Sequence, residues 1–129
     1  MIILDTHIWI WWVNNEPSLK AGWRNLIDNA PDIGVSAISC FEVAWLEKHS
    51  RIKLPTSRNT WFQKALVGSG ITLIPISAEI AWAAVDLQEH HSDPQDRIII
   101  ATAITLGCKL MSADQKFPLY SELTNILVL

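Results

Sequence analysis

Short continuous apolar runs alternate along the chain with longer stretches whose apolar residues recur every three or four positions. Met1–Leu4, Ile33–Val35, Ile71–Ile76, Lys109–Ala113 and Asn125–Leu129 read as strands, because a short apolar run suits a strand covered on both faces. Helical spacing predicts a helix over Thr6–Val13, a second from a Ser18 cap to about Asn29, and a third over Ala37–Lys48 behind Ser36. A fourth starts at Thr56 or Ser57 and reaches about Val67, and a fifth runs from Ser77 to about Leu87. The last is framed on both sides: Asp93-Pro94 supplies a cap and a proline at the first helical position, and Gly107 follows Leu106. Strands alternating with helices in this way predict the α/β class, specifically a three-layer α/β/α arrangement around a central, mainly parallel sheet of four to five strands.

Composition narrows the class without changing it. A chain of 129 residues, half of them hydrophobic and 18% charged, is expected to form a single domain over residues 1–129 and is not disordered. Cys40 and Cys108 are too few for a disulfide framework or a zinc site. The apolar start meets Asp5 too early for a signal peptide, and no run reaches the ~20 apolar residues of a membrane span, so a cytoplasmic protein is expected. A net charge of −3 argues against a generic basic coat for nucleic acid. It is compatible with a site rich in carboxylates.

Four carboxylates stand out by position. Asp5 and Asp114 each directly follow a strand, where an open parallel sheet places its ligand site. Glu42 falls within the apolar stripe Ile38, Phe41, Trp45, Leu46 of the third helix, so it is expected on the buried side, where an unpaired charge is costly. Asp96 is the third residue of the Asp93-capped helix, one turn before the core-facing Ile99 and Ile100. Each has an ordinary explanation, as helix cap, dipole partner or edge ion pair. All four together map to the carboxyl-end side of one sheet. Crowded carboxylates repel and need counter-charge. A set of oxygen donors without cysteine or a histidine cluster selects a hard cation, Mg²⁺ or Mn²⁺. Such an ion can lower the pKa of a water, align it on phosphorus and neutralise the leaving oxygen. No glycine-rich phosphate loop is present. The connector Lys48–Pro55, extended by Arg58 and Lys64, is basic and reads either as a solvated loop or as a phosphate- or partner-facing patch. Trp9, Trp11 and Trp12 make the first helix apolar almost all round, so it faces either the core or a second protein chain.

Leu4-Asp5-Thr6-His7, Ser36-Ala37-Ile38-Ser39-Cys40-Phe41-Glu42, His91 through Ala101 with its Asp-Pro-Gln-Asp-Arg core, and Leu110-Met111-Ser112-Ala113-Asp114 stand in an order and spacing that resemble a PIN domain. More narrowly the set is similar to VapC-type toxins of bacterial toxin–antitoxin pairs. The resemblance spans essentially the whole chain. It implies a divalent-metal-dependent endoribonuclease that cuts single-stranded RNA to leave a 5′-phosphate. Asp5, Glu42, Asp96 and Asp114 would be its catalytic acids, with Asp5, Asp96 and Asp114 on the metal. Thr6 and Ser112 match hydroxyl positions beside the ligands. Arg97 is expected to pair with a carboxylate, with phosphate contact as the alternative, and Asp93 is left as a helix cap. The resemblance also implies a cognate antitoxin whose peptide lies near the site, and the apolar first helix supports a homodimer, an antitoxin interface or both. The competing expectations are a non-catalytic RNA- or protein-binding module on the same fold and a nuclease acting on DNA.

Overall fold

The computed structural model describes residues 1–90 and 93–129. His91 and Ser92, the first two residues of the third resemblance stretch, lie outside the described residues. Four parallel strands form the sheet: β1 (Ile2–Leu4), β2 (Ile33–Ser36), β3 (Thr72–Ile74) and β4 (Lys109–Met111), in the order β3-β2-β1-β4. The first apolar run of the chain therefore sits inside the sheet, with Leu4 level with Val35 on one side and with Met111 on the other. The expected fifth strand at the C-terminus is reduced to one parallel bridge, Leu110 to Leu127, held by Leu110 N–H to Ile126 O and Val128 N–H to Leu110 O, each at 2.9 Å.

Successive residues of a strand point to opposite faces, and the two faces carry separate cores. Ile3 and Leu110 pack with Ile80, Ala84, Ile99 and Ile100. Leu4, Val35 and Met111 pack on the other side with Ile8, Trp9, Val43 and Trp61. Gly34 lies where a Cβ would sit 2.7 Å from both Ile74 Cδ1 and Met1 Sδ, so the close approach of β3 and the N-terminal residue uses its bare backbone.

Helices α1 (Thr6–Val13), α3 (Ala37–Lys48), α5 (Ala78–Asp86) and α6 (Pro94–Leu106) match the predicted elements, with Ser36, Ser77 and Asp93 as side-chain caps. Gly107 closes α6 in the left-handed conformation, φ +64°. Helix α2 (Ala21–Asn29) starts later than expected: Lys20 is its N-cap residue and Ser18 stays in the preceding turn, because Leu19 must first drop into the core. Helix α4 (Arg58–Phe62) begins at Ser57 and continues as a wider π-helical segment to Gly68. Among the described residues no helix is long and apolar enough to cross a membrane.

Two of the three tryptophans of α1 bond within the chain. Trp9 is fully buried, edge-on to Trp61 at 5.1 Å between ring centroids, and its N–H reaches Ala65 O. Trp12 donates to Asp28 at 3.0 Å. Exposed apolar surface lies instead on α3 and α5. Phe41 and Trp45, expected in a buried stripe, are 57% and 42% exposed, and Trp82 and Val85 are 61% and 77% exposed. The buried side of α3 is Ser39 and Val43, with Ile38 and Leu46 half-buried beside them. Glu42 is on this inner side, so its expected orientation holds although the stripe that suggested it is rotated toward Ser39.

Candidate active site

The strand ends and helix starts converge on a cavity of about 290 Å³. Asp5, Glu42, Asp96 and Asp114 all line it, together with Thr6 and Asp93; His7, Trp11 and Ala113 complete the wall. Sheet order explains the convergence. β1 and β4 are neighbours, so the residues that follow them, Asp5 and Asp114, leave the sheet side by side. Helix α3 leaves β2 on the other side of β1, and Glu42 sits on the side of α3 that faces α1 and the cavity. Helix α6 adds Asp96 in its first turn.

Asp5 does two jobs. One carboxylate oxygen caps α1 by accepting the Ile8 N–H at 2.9 Å. Burial pushes its pKa up to about 6, against the opposing pull of hydrogen bonds from Ser112 and Ile8 and of the nearby His7; Glu42 repels it further. Ser112 thus ties two acids together: its hydroxyl serves Asp5, and its oxygen accepts the Asp114 N–H at 3.0 Å. Asp114 in turn accepts the Lys116 N–H at 2.8 Å, the turn-capping role its position suggests, and still lines the cavity.

Glu42 is held by a hydroxyl pair. Thr6 lies 2.6 Å from Glu42 Oε1 and 2.9 Å from Ser39 Oγ. Thr6 has one proton, which goes to the carboxylate, leaving its oxygen to accept from Ser39. Thr6 and Ser112 are therefore beside the acids, as the resemblance implies. Ser39 is a participant that the sequence reading does not single out, although its place three residues before Glu42 puts both on one helix face.

Asp96 meets the strongest opposition to charge. Burial and then repulsion from Asp93, Glu42, Asp114 and Asp5 push its pKa up to about 8. The positive end of α6 offers only ~0.3–1 kcal/mol in the other direction, so burial and the repulsion added to it decide. Asp93 keeps its role as cap, accepting Gln95 N–H at 3.1 Å, but it also lines the cavity and repels Asp96 more than any other charge does. The sequence signal for that is its spacing three residues before Asp96, one helical turn. Arg97 donates from its guanidinium to the carbonyls of Val85, Leu87 and Gln88 at 3.2, 2.7 and 2.9 Å, tying the end of α5 to the start of α6. The basic connector does not enter the cavity. Arg58 pairs with Glu47 at 2.7 Å, and Lys48, Arg51 and Lys53 are exposed.

Among the described residues no three carboxylates converge tightly enough to form a finished metal cage. A small hard dication does not need one, since it binds through one or two carboxylates and keeps several waters. The donor set is all oxygen, and repulsion from neighbouring carboxylates adds to burial in raising the pKa of Asp96. These residues fit a divalent cation of that kind.

Comparison with known proteins identifies the family and the fold. The PIN domain family matches residues 2–123. Ribonuclease VapC22 of Mycobacterium tuberculosis (strain ATCC 25618 / H37Rv) is 34% identical over 116 residues, covering 89% of this chain and 88% of that protein. A toxin–antitoxin complex from Klebsiella pneumoniae contains a chain with TM-score 0.66 and 24% identity, over 100% of this chain and 97% of that one. VapBC2 from Rickettsia felis, bound to a DNA fragment from its promoter, gives TM-score 0.69 and 22% identity over 99% and 98%. With that family matched over residues 2–123 and a relative 34% identical along most of both chains, the chain belongs to the PIN domain family.

Proposed function

We propose that the chain is the toxin of a toxin–antitoxin pair, a cytoplasmic endoribonuclease that hydrolyses phosphodiester bonds of single-stranded RNA with Mg²⁺ or Mn²⁺. The observation that carries this reading is one cavity lined by all of Asp5, Glu42, Asp96 and Asp114. The relative named as a ribonuclease and the neighbouring toxin–antitoxin complexes support it. A bound dication supplies an activated water and stabilises the leaving oxygen. Asp5, Asp96 and Asp114 are the residues from which its carboxylate ligands would come. Ser112 fixes the relative positions of Asp5 and Asp114, and Thr6 fixes Glu42, so the oxygens meet the ion in place and not after a search. Glu42, oriented by Thr6 and Ser39, is the group available to take a proton from the attacking water. The cognate partner is an antitoxin protein that covers this cavity.

The purified protein is expected to cut single-stranded RNA with Mg²⁺ or Mn²⁺, to stop when the cation is chelated, and to leave DNA of the same sequence intact. RNA left whole under all metal conditions would remove the nuclease reading, and cutting of DNA at equal rate would remove its substrate. Expression without an antitoxin is expected to arrest growth.

A homodimer forms part of the same proposal, on a different surface from the one the first helix suggests. Phe41 and Trp45 on α3 and Trp82 and Val85 on α5 are exposed, and both helices pack against α6. A second copy of the chain is the occupant that would cover them. Light scattering should give twice the 14.5 kDa chain mass, falling to a single chain in Trp82→Glu. A single-chain mass for the unaltered protein would exclude the dimer.

A further inference from the structure

One side of the acid-lined cavity is aromatic, and the phosphodiester chemistry does not use it. Trp11 and His7 line the cavity beside Asp5 and Glu42. Their rings meet edge-on, with centroids 6.3 Å apart and planes inclined at 62°. His7 is exposed; Trp11 is half-buried, packed against the core beneath β1 on one side and facing the cavity on the other. The neighbouring tryptophans differ from it. Trp9, Trp12 and Trp61 each donate their indole N–H to a protein acceptor: Ala65 O, Asp28 and Asn14. Among the described residues Trp11 has no such bond, and its half-exposed ring lines the cavity where a ligand can meet it.

The charge distribution says which part of a ligand belongs there. Five carboxylates, those of Asp5, Glu42, Asp93, Asp96 and Asp114, line the cavity, and without a cation they repel phosphate. The aromatic wall is the part without a carboxylate, and an unpaired base offers a flat π-face to match it. We propose that Trp11, braced by His7, stacks on the base of a nucleotide flanking the cleaved phosphodiester. That makes the pair a determinant of where single-stranded RNA is cut. The inference rests on the ribonuclease reading above and adds the position of the base. Trp11 grips substrate; it does not act on the reacting atoms.

The test is a set of single-stranded oligoribonucleotides containing a site cut by the unaltered protein, each lacking one base in turn. For the unaltered protein, loss of one base next to the cut should raise KM roughly 10–100-fold, the range of one base–aromatic stack. Trp11→Ala should raise KM on intact RNA by a similar factor, with kcat changed less, and the missing base should then make no further difference. Trp11→Phe should keep most of the base dependence. Penalties of Trp11→Ala and the missing base that simply multiply would overturn the stack, as would an unchanged KM in Trp11→Ala. Trp11 also packs against the core, so a heat scan accompanies each variant. If Trp11→Ala does not fold, His7→Ala and Trp11→Phe carry the test: the stack predicts a weakened base dependence in His7→Ala, and full base dependence there would overturn the braced pair. An unaltered protein that cuts no RNA overturns the ribonuclease reading and the stack with it; an active one without the coupling overturns the stack alone.

Discussion

Asp5→Asn is expected to fold like the unaltered protein and to lose metal-dependent RNA cleavage by about 100-fold or more. The floor comes from groups outside a ligand set, whose removal already costs roughly 10–100-fold in metal affinity or activity. The substitution is chosen for what it preserves. Asp5 caps α1 through the Ile8 N–H, and an asparagine oxygen caps equally well. Asp5→Ala would mix the loss of a cap, ~1 kcal/mol, with the loss of the charge. Circular dichroism should therefore be unchanged in Asp5→Asn, calorimetric titration with Mn²⁺ should show weakened binding, and single-turnover cleavage should collapse. Unchanged metal binding with full cleavage would take Asp5 out of the site.

The second large effect concerns stability of the metal-free protein against pH. Asp5 and Asp96 have pKa values raised from 3.8 to about 6 and about 8. A carboxyl with a raised pKa holds its proton more tightly folded than unfolded. Its contribution to stability is therefore greatest at low pH, and falls as pH rises from about 4 through the folded value. For Asp96 that window extends to about 8, and for Asp5 to about 6. Discounted for the solvent that reaches the cavity, the two groups together account for on the order of 2 kcal/mol, or roughly 5–10 °C in melting temperature for a chain of this size. The metal-free protein should melt higher at pH 5.5 than at pH 8.5. Asp96→Asn, neutral at every pH, should remove most of the slope. Mg²⁺ should raise the melting temperature more at pH 8.5 than at pH 5.5, because at low pH it competes with protons for the same oxygens. A metal-free melting temperature that rises steadily with pH would contradict the crowding of charge around Asp96.

Both predictions depend on acids that are legible in the sequence alone, and the reasons differ. Asp5 and Asp114 are readable because the strand ends of a parallel sheet have a fixed sense, and β1 and β4 are neighbours. Asp96 is readable from the Asp93-Pro94 start of α6. Glu42 is placed correctly for a reason that is partly wrong. Phe41 and Trp45 read as part of the buried stripe, yet they are exposed and Ser39 is buried. Hydrophobicity alone cannot separate a side chain facing its own core from one facing solvent or another chain, and a buried serine with a hydroxyl partner gives no apolar signal. The same ambiguity hides the surface on α5 and suggests one on α1, where Trp9 and Trp12 are used internally. The backbone carbonyls at the end of α5 that Arg97 reaches are not legible in the sequence, because no side-chain pattern marks them. The C-terminal run has strand composition but forms one bridge, since it meets β4 only at Leu110.

The position of β1 between β2 and β4 has a further consequence on the ribosome. The earliest strand of this sheet in the chain is flanked on one side by its last strand, Lys109–Met111, which lies far along the sequence. Pairing so distant in the chain forms late. Until β4 is made and docked, Asp114 and Ser112 are absent and Asp5 lacks its hydroxyl partner. A nascent or prematurely ended chain thus cannot assemble the acid cluster, however well its first half has folded. The proposed nuclease site is in this way incomplete until β4 has been translated and docked.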